Sequence, residues 1–118
     1  MRKSYLKTKE GELLTEVRIA RKFFERFCGL MFKKQISDSD VIVFPRCNSI
    51  HTFFMRDCID VIFVGQSGAV IRIVEGLKPW RLLWPQAKAQ HCIEMSKQRA
   101  KALGIFEGKH LICEGVFE

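Results

Sequence analysis

The sequence predicts a mainly β domain of the α+β class, a compact barrel-like sheet with two short helices. Three observations support this prediction. Short apolar runs with a period of two residues recur along the chain, and turn-forming residues separate them. Only two stretches, near Lys22–Leu30 and Ser96–Leu103, have the spacing or capping residues of a helix. The chain has 118 residues, of which 47% are hydrophobic. This is enough for one hydrophobic core and too few for two, so residues 1–118 are predicted to form a single domain.

The first third of the chain is predicted to hold two strands and a helix. Residues 1–12 are expected to be a frayed N-terminal segment, with pairing onto a sheet possible at Tyr5 and Leu6, and Leu13–Ala20 alternates as a half-buried strand does. A helix is expected near Lys22–Leu30 because phenylalanines and other apolar residues recur there every three or four positions. Residues 33–40 are polar and favour a loop, and a proline ends the short buried strand Val41–Phe44.

The middle of the chain is predicted to organise the fold. It contains two strand-like runs, Ser49–Met55 and Ile59–Val64, joined by a polar corner. Both faces of each run are largely apolar when the side chains alternate. We therefore expect two paired central strands that are covered on both sides. Gly65–Gly68 then forms a hairpin loop, and Ala69–Val74 returns as the next strand.

The last third begins with Glu75–Pro85, whose two prolines favour a stiff loop. A strand is predicted at Ala87–Met95. Ser96 suits the N-cap of a short helix, Lys97–Leu103, and the final strand is expected at His110–Phe117.

The net charge of +7 raises nucleic acid or an anionic membrane as a partner. Lysines and arginines are scattered, however, and acidic residues interrupt them, so a solvated basic surface is the simpler interpretation. No apolar run approaches the ~20 residues that cross a bilayer, and the N-terminus lacks the apolar core of a signal peptide. We expect a cytoplasmic, monomeric protein.

The five cysteines are predicted to be reduced and structural, since their number is odd and no CxxC spacing occurs. Cys47 and His51 are the best-spaced candidates for a zinc pair or a nucleophile–base pair. On a continuous strand, their Cα atoms would stand about 13 Å apart, too far for either role. We predict no metal, no cofactor and no catalytic residue.

Several motifs resemble those of the domain-of-unknown-function 192 family of small, mainly bacterial and archaeal proteins. The more specific ones are Phe27–Phe32 (FCGLMF), Cys47–Met55 and Ile59–Phe63; weaker matches are Pro79–Trp80–Arg81, Ile93–Glu94, Gly104–Ile105 and Gly108. The family commonly has an acidic residue after the final glycine, where this chain has Lys109. The resemblance implies a compact β-rich, barrel-like domain with short helices and no established activity.

Six residues form the candidate ligand site: Ser49, His51, Asp60, Trp80, Arg81 and Glu94. His51, Asp60 and Glu94 lie inside apolar runs, where a polar side chain needs a partner. Arg81, beside Trp80, is a natural bidentate partner for a carboxylate or an anionic ligand group. The same pattern also fits internal ion pairs or backbone hydrogen bonds that stabilise the barrel.

These residues favour a non-catalytic binding or accessory domain with a polar cleft for a small polar or anionic ligand or a peptide. A nucleic-acid-binding protein is the alternative, and it requires a continuous basic face. The second alternative is an enzyme that uses Cys58 or His51, and it requires a pocket in which these two residues approach each other.

Overall fold

The computed structural model describes residues 1–31 and 33–118. Phe32, the last residue of the FCGLMF motif, and the side chain of Phe23 lie outside the description. Within it the strands are β1 (Arg2–Thr8), β2 (Leu13–Ile19), β3 (Ile42–Phe44), β4 (Ile50–His51), β5 (Ile59–Val64), β6 (Val70–Leu77), β7 (Leu82–Leu83), β8 (His91–Ser96) and β9 (Leu111–Cys113). The helices are α1 (Phe23–Cys28) and α2 (Arg99–Ala102).

Seven strands form one sheet in the order β6-β5-β8-β3-β2-β1-β9, and β4 and β7 form a separate pair. Only β2 and β3 pair in parallel among these neighbours. The sheet curls into a half-barrel, so the predicted barrel-like, mainly β fold with two short helices is confirmed. Neither helix in the described part of the chain is long and apolar enough to span a membrane.

The curl brings the two edge strands together at one end. The Leu111 amide donates to the Gly68 carbonyl at 2.8 Å, and the Val70 amide donates to the Lys109 carbonyl at 2.9 Å. Gly68 has a φ of 98°, and a Cβ atom there would lie 2.2 Å from the Leu111 carbonyl oxygen. Only glycine permits this approach of the two backbones.

Alternation along the strands divides the apolar residues between two cores. The barrel core receives residues from all seven strands of the large sheet, including Leu6, Val17, Val43, Ile62, Val70, Ile93 and Leu111. The pocket core, on the opposite face, includes Leu30, Met31, Phe44, Ile50, Met55, Phe63 and Cys92. β5 is buried on both faces, as predicted for Ile59–Val64.

The expected fraying of residues 1–12 does not extend to Arg2–Thr8, where Tyr5 and Leu6 pair in the sheet as the sequence allowed. β1 pairs with β2 on one side and with β9 on the other. Leu6 is fully buried in the barrel core. A pairing with β9, which lies at the far end of the sequence, is what orders this segment.

The prediction that Ser49–Met55 is a central strand paired with β5 is also wrong. Only Ile50–His51 is a strand, and it pairs with β7. The chain leaves the extended conformation after His51 because Thr52 is hydrogen-bonded across to residues 78–81, and Phe54 has a φ of 64°. β7 itself interrupts the stretch predicted as the loop Glu75–Pro85, and β6 extends to Leu77.

The second helix begins differently from its prediction. Ser96 belongs to β8 and donates to Asp38 Oδ1 at 2.9 Å, so it is not the N-cap. Gln98, with a φ of 68°, precedes the helix instead. Asp60 accepts from the Ala100 amide at 3.1 Å and from the Gly76 amide at 2.9 Å. This buried carboxylate therefore joins the first turn of α2 to β6.

Candidate functional site

A pocket of about 280 Å³ lies over the pocket core, between α1, the end of β3, β4 and β8. Its apolar walls are Phe27, Met31, Phe44, Ile50 and Met55, and the other lining residues are Arg26, Cys28, Gly29, Cys47, Ser49, His51 and Glu94. Apolar walls with a few convergent polar groups are typical of small-molecule sites.

A turn after β3 positions Cys47 at this pocket. Arg46 adopts a φ of 51°, and its amide donates to Nδ1 of His91 at 3.1 Å. The Arg26 guanidinium, from α1, donates to the carbonyl oxygens of Pro45 and Arg46. The Cys47 amide donates to the Gln90 carbonyl at 2.9 Å. Contacts from α1 and from residues 90 and 91 therefore fix the backbone around Cys47, which belongs to no strand.

The surroundings of Cys47 favour its thiolate. A hydrogen bond from the Cys92 thiol, the backbone of Ser49 and the charge of Arg26 together outweigh burial, and they lower the pKa of Cys47 to about 6. In its protonated form, Cys47 donates to the Ser49 carbonyl oxygen at 3.0 Å. The hydrogen bond to Cys47, followed by burial, raises the pKa of Cys92 well above its usual value. At neutral pH the pair therefore holds one negative charge, on Cys47.

Glu94 supplies a protonated carboxyl group to the same pocket. Burial, and then the negative charge of Cys47, raise the pKa of Glu94 to about 8. α1 ends close to this carboxyl group: a Cβ atom at Gly29 would lie 3.3 Å from Glu94 Oε1 and 3.0 Å from Phe44 Cζ. Glycine at this position keeps the pocket open beside the acid.

An aromatic ladder of five rings extends from the pocket along the surface. Its members are Phe27, His51, Phe53, Trp80 and Phe54. The ring centroids of Phe27 and His51 are 6.0 Å apart, those of His51 and Phe53 are 5.0 Å apart, those of Phe53 and Trp80 are 5.9 Å apart, and those of Trp80 and Phe54 are 4.7 Å apart. Phe27 and His51 also line the pocket, so the ladder begins at its wall. His51 Nδ1 accepts from the Phe53 amide at 3.3 Å, which orients the imidazole.

Three of the six predicted site residues line this pocket, namely Ser49, His51 and Glu94. Trp80 lies further along the aromatic ladder and is not part of the lining. Asp60 is fully buried and holds α2 and β6, which matches the structural role that its sequence context also allowed.

Arg81 does not make the expected ion pair. Its Nη1 donates to the Pro79 carbonyl at 3.4 Å, and its side chain is exposed. No carboxylate within the described residues lies at ion-pair distance from it. Its backbone is the part that matters structurally, because Thr52 Oγ1 accepts from the Arg81 amide at 2.8 Å.

Cys47 was rejected as a site residue from the sequence, and Arg26 and Cys92 were not predicted to lie near it. A separation of about 13 Å between Cys47 and His51 requires a continuous strand between them. The left-handed Arg46 and the short β4 break that strand, so Cys47 and His51 line one pocket. One signal was available in the sequence: Pro45 follows the predicted strand Val41–Phe44 two residues before this cysteine, which favours a turn there.

Fold and site together define a small half-barrel domain with a pocket that carries a thiol and a carboxyl group. The family model for domain of unknown function 192, described as "Uncharacterized ACR", matches residues 5–113, and the chain belongs to this family. The resemblance found in the sequence motifs is thereby confirmed.

The curated relatives are archaeal. A UPF0127 protein of Pyrococcus furiosus is 38% identical over 110 residues, which cover 88% of this chain and 91% of the relative. A UPF0127 protein of Pyrococcus horikoshii is 47% identical over 83 residues, which cover 67% of this chain and 70% of the relative.

Two bacterial crystal structures share the fold. One, from Sinorhizobium meliloti, is provisionally called a transcription regulator; it has a TM-score of 0.79 and 20% identity, and the match covers 97% of this chain and 94% of that one. The other, a protein of unknown function from Novosphingobium aromaticivorans, has a TM-score of 0.75 and 24% identity, with 93% and 83% covered. At these identities the likeness shows the fold.

Proposed function

We propose that this protein is a binding domain for a small molecule that has an apolar or aromatic body and one uncharged hydrogen-bonding group. The observation that carries the proposal is the pocket of about 280 Å³, with apolar walls and a protonated Glu94 beside them. A neutral carboxyl group both donates and accepts hydrogen bonds, which suits an amide or a hydroxyl group. The aromatic ladder extends the apolar surface beyond the pocket.

The charges in the pocket favour a neutral ligand over the anionic one that the sequence also allowed. Arg26 is cationic and Cys47 is held as a thiolate, so the two charges offset each other. The Arg26 guanidinium is already engaged by two backbone carbonyls. A charged ligand would therefore lose its water without gaining a net opposite charge.

A matched set of probes tests this proposal, because benzamide, benzoate and benzylamine share one ring and differ in charge. We expect benzamide to shift the backbone amide NMR signals of Gly29, Ser49 and Ile50 with a Kd of about 1 mM, a typical strength for so small a molecule. Benzoate and benzylamine should bind at least about tenfold more weakly, because each loses a hydration shell.

A bulky residue at the pocket supplies the control. Cys28 lines the pocket yet is exposed, so Cys28→Trp should block the site without disturbing the core. Tyr5→Trp introduces the same side chain at an exposed position on β1, outside the pocket lining. We expect benzamide binding to be lost in the first variant and kept in the second. The proposal fails if no probe shifts these signals, or if Cys28→Trp leaves binding unchanged.

A further inference from the structure

Two thiols and a carboxyl group converge beneath the pocket, and ligand binding alone does not explain them. Cys92 and Glu94 are two apart on β8, so they point to the same face of the sheet. Cys92 belongs to the pocket core, and Cys47 packs against that core. Cys47 also lies beside the start of β8, because its amide donates to the Gln90 carbonyl at 2.9 Å, two residues before Cys92.

Access differs sharply between the two sulfur atoms. Cys47 is half-buried and lines the pocket, whereas Cys92 is fully buried. A reagent in the pocket therefore meets Cys47 first, and Cys92 can react only with a group already formed on Cys47. A pocket of this volume admits a small oxidant whole, whereas only part of a bulky one such as oxidised glutathione can enter it.

We infer that Cys47 and Cys92 form a peroxide-reactive dithiol pair, in which Cys47 attacks a small hydroperoxide in the pocket and Cys92 then closes a disulfide with it. This inference stands apart from the ligand-binding proposal, since a hydroperoxide reacts and leaves whether or not the pocket has another ligand.

In the first step, the Cys47 thiolate attacks the terminal oxygen of the hydroperoxide. An S–O bond forms, the O–O bond breaks, and the Glu94 carboxyl proton passes to the leaving alkoxide or hydroxide. The products are Cys47 sulfenic acid, an alcohol or water, and the Glu94 carboxylate. The sulfur loses two electrons and the peroxide bond gains them.

In the second step, the Cys92 sulfur attacks the Cys47 sulfur. Its proton and the sulfenic hydroxyl leave together as water, and a disulfide remains. Once Cys47 carries a neutral sulfenic acid, Cys92 no longer faces a thiolate. Two of the causes that hold the proton on Cys92, its hydrogen bond to the Cys47 thiolate and that negative charge, are then gone.

The reduced full-length protein, treated with one equivalent of hydrogen peroxide, tests the inference by peptide mass spectrometry without reduction. We expect a Cys47–Cys92 cross-link and the consumption of one peroxide per chain. Cys28 is exposed but lacks the paired thiol, so it should remain free despite its better access. Oxidised glutathione should yield the cross-link at least about tenfold more slowly, because it does not fit the pocket.

Variants separate the two steps. Cys92→Ala should stop at a Cys47 sulfenic acid that dimedone traps, and Glu94→Gln should slow sulfenic acid formation by about 100-fold because the proton donor is lost. Cys58→Ser removes a half-buried thiol outside the pocket lining and should cross-link normally. If Cys92→Ala does not fold, dimedone added to the wild-type protein during oxidation should still trap Cys47 and reduce the yield of cross-link.

Two results would overturn the inference: oxidation of Cys28 or Cys58 as fast as that of Cys47, or a Cys47 sulfenic acid that never links to Cys92. Two measurements on the reduced wild-type protein separate this inference from the ligand-binding proposal. Benzamide binding without a Cys47–Cys92 cross-link after peroxide would overturn the dithiol pair alone, and a cross-link without benzamide binding would overturn the ligand site alone.

Discussion

At the scale of single residues, the chemistry of the pocket depends on how two ionisable groups divide one proton. Burial alone would keep both Cys47 and Glu94 uncharged. The Cys92 hydrogen bond and Arg26 stabilise the charge on Cys47, and that charge in turn holds the proton on Glu94. At neutral pH the pocket therefore contains a nucleophile and an acid side by side, an arrangement suited to proton-coupled attack.

The lowered pKa predicts the pH dependence of Cys47 alkylation. The groups that face it are Arg26 of α1, Cys92 and Glu94 of β8, and His51 of β4. Because only the thiolate reacts, the rate with iodoacetamide should rise about tenfold per pH unit at low pH and level off above about pH 6. Peptide mass spectrometry on samples quenched between pH 4 and pH 9 measures this profile.

Arg26→Gln should move that midpoint upward, because a positive charge that favours the thiolate is removed. A wild-type rate that keeps rising to about pH 9, the ordinary range of a thiol, would contradict the assignment of Cys47 as a thiolate at neutral pH.

At the scale of elements, Thr52 connects β4 to the segment that carries Trp80. Its hydroxyl donates to the Lys78 carbonyl at 2.7 Å and accepts from the Arg81 amide at 2.8 Å. Its backbone makes two more bonds, to the Trp80 amide and the Arg81 carbonyl. The side chain is fully buried. Thr52 therefore determines where the far end of the aromatic ladder lies.

Thr52→Val keeps the shape of this side chain and removes the hydroxyl group. We expect the free energy of unfolding to fall by about 2 kcal/mol, because one buried amide and one carbonyl lose a partner. The tryptophan emission should shift as the ladder loosens. Thr15→Val is the matched control, since the Thr15 hydroxyl makes one exposed bond to the Glu16 carbonyl. If urea denaturation gives the same loss in the free energy of unfolding for both variants, the Thr52 hydroxyl does not hold the two segments together.

The elements that were predicted correctly are those whose own alternation of apolar residues determines their structure. β5 alternates between two apolar faces, and both are buried. The run Ser49–Met55 is also largely apolar on both faces, yet its strand, β4, ends after His51 because its partners lie near residue 80. The place of Cys47 at the pocket was not predicted for the same reason, since Arg26 and Cys92 come from other elements. Periodicity reports which residues are buried, but it does not report which distant backbone completes their hydrogen bonds.

At the scale of the whole molecule, the half-barrel depends on the seam between Gly68 and Leu111. Gly68 and Gly108 have similar φ angles, 98° and 92°. A Cβ atom at Gly68 would collide with the Leu111 carbonyl oxygen, whereas a Cβ atom at Gly108 would meet nothing within 4 Å. The two positions therefore separate backbone strain from the close approach of the strands.

Alanine at each position measures this difference. Gly108→Ala should cost about 1 kcal/mol, the strain of a left-handed residue. Gly68→Ala should cost at least about 2 kcal/mol more, because the seam must open as well. Urea midpoints at an unchanged slope measure both. If the two variants lose the same stability, the seam does not hold the sheet closed.

β8 carries the pocket and the barrel core on alternate residues. Cys92 and Glu94 lie on the pocket side, and Ile93 and Met95 lie in the barrel core. A gain or loss of one residue in this strand would exchange the two sets, placing an acid in the barrel and a methionine in the pocket. Descendants of this chain can thus replace the pocket residues one substitution at a time. An insertion or deletion within β8, in contrast, would disrupt the pocket and the barrel core at the same time.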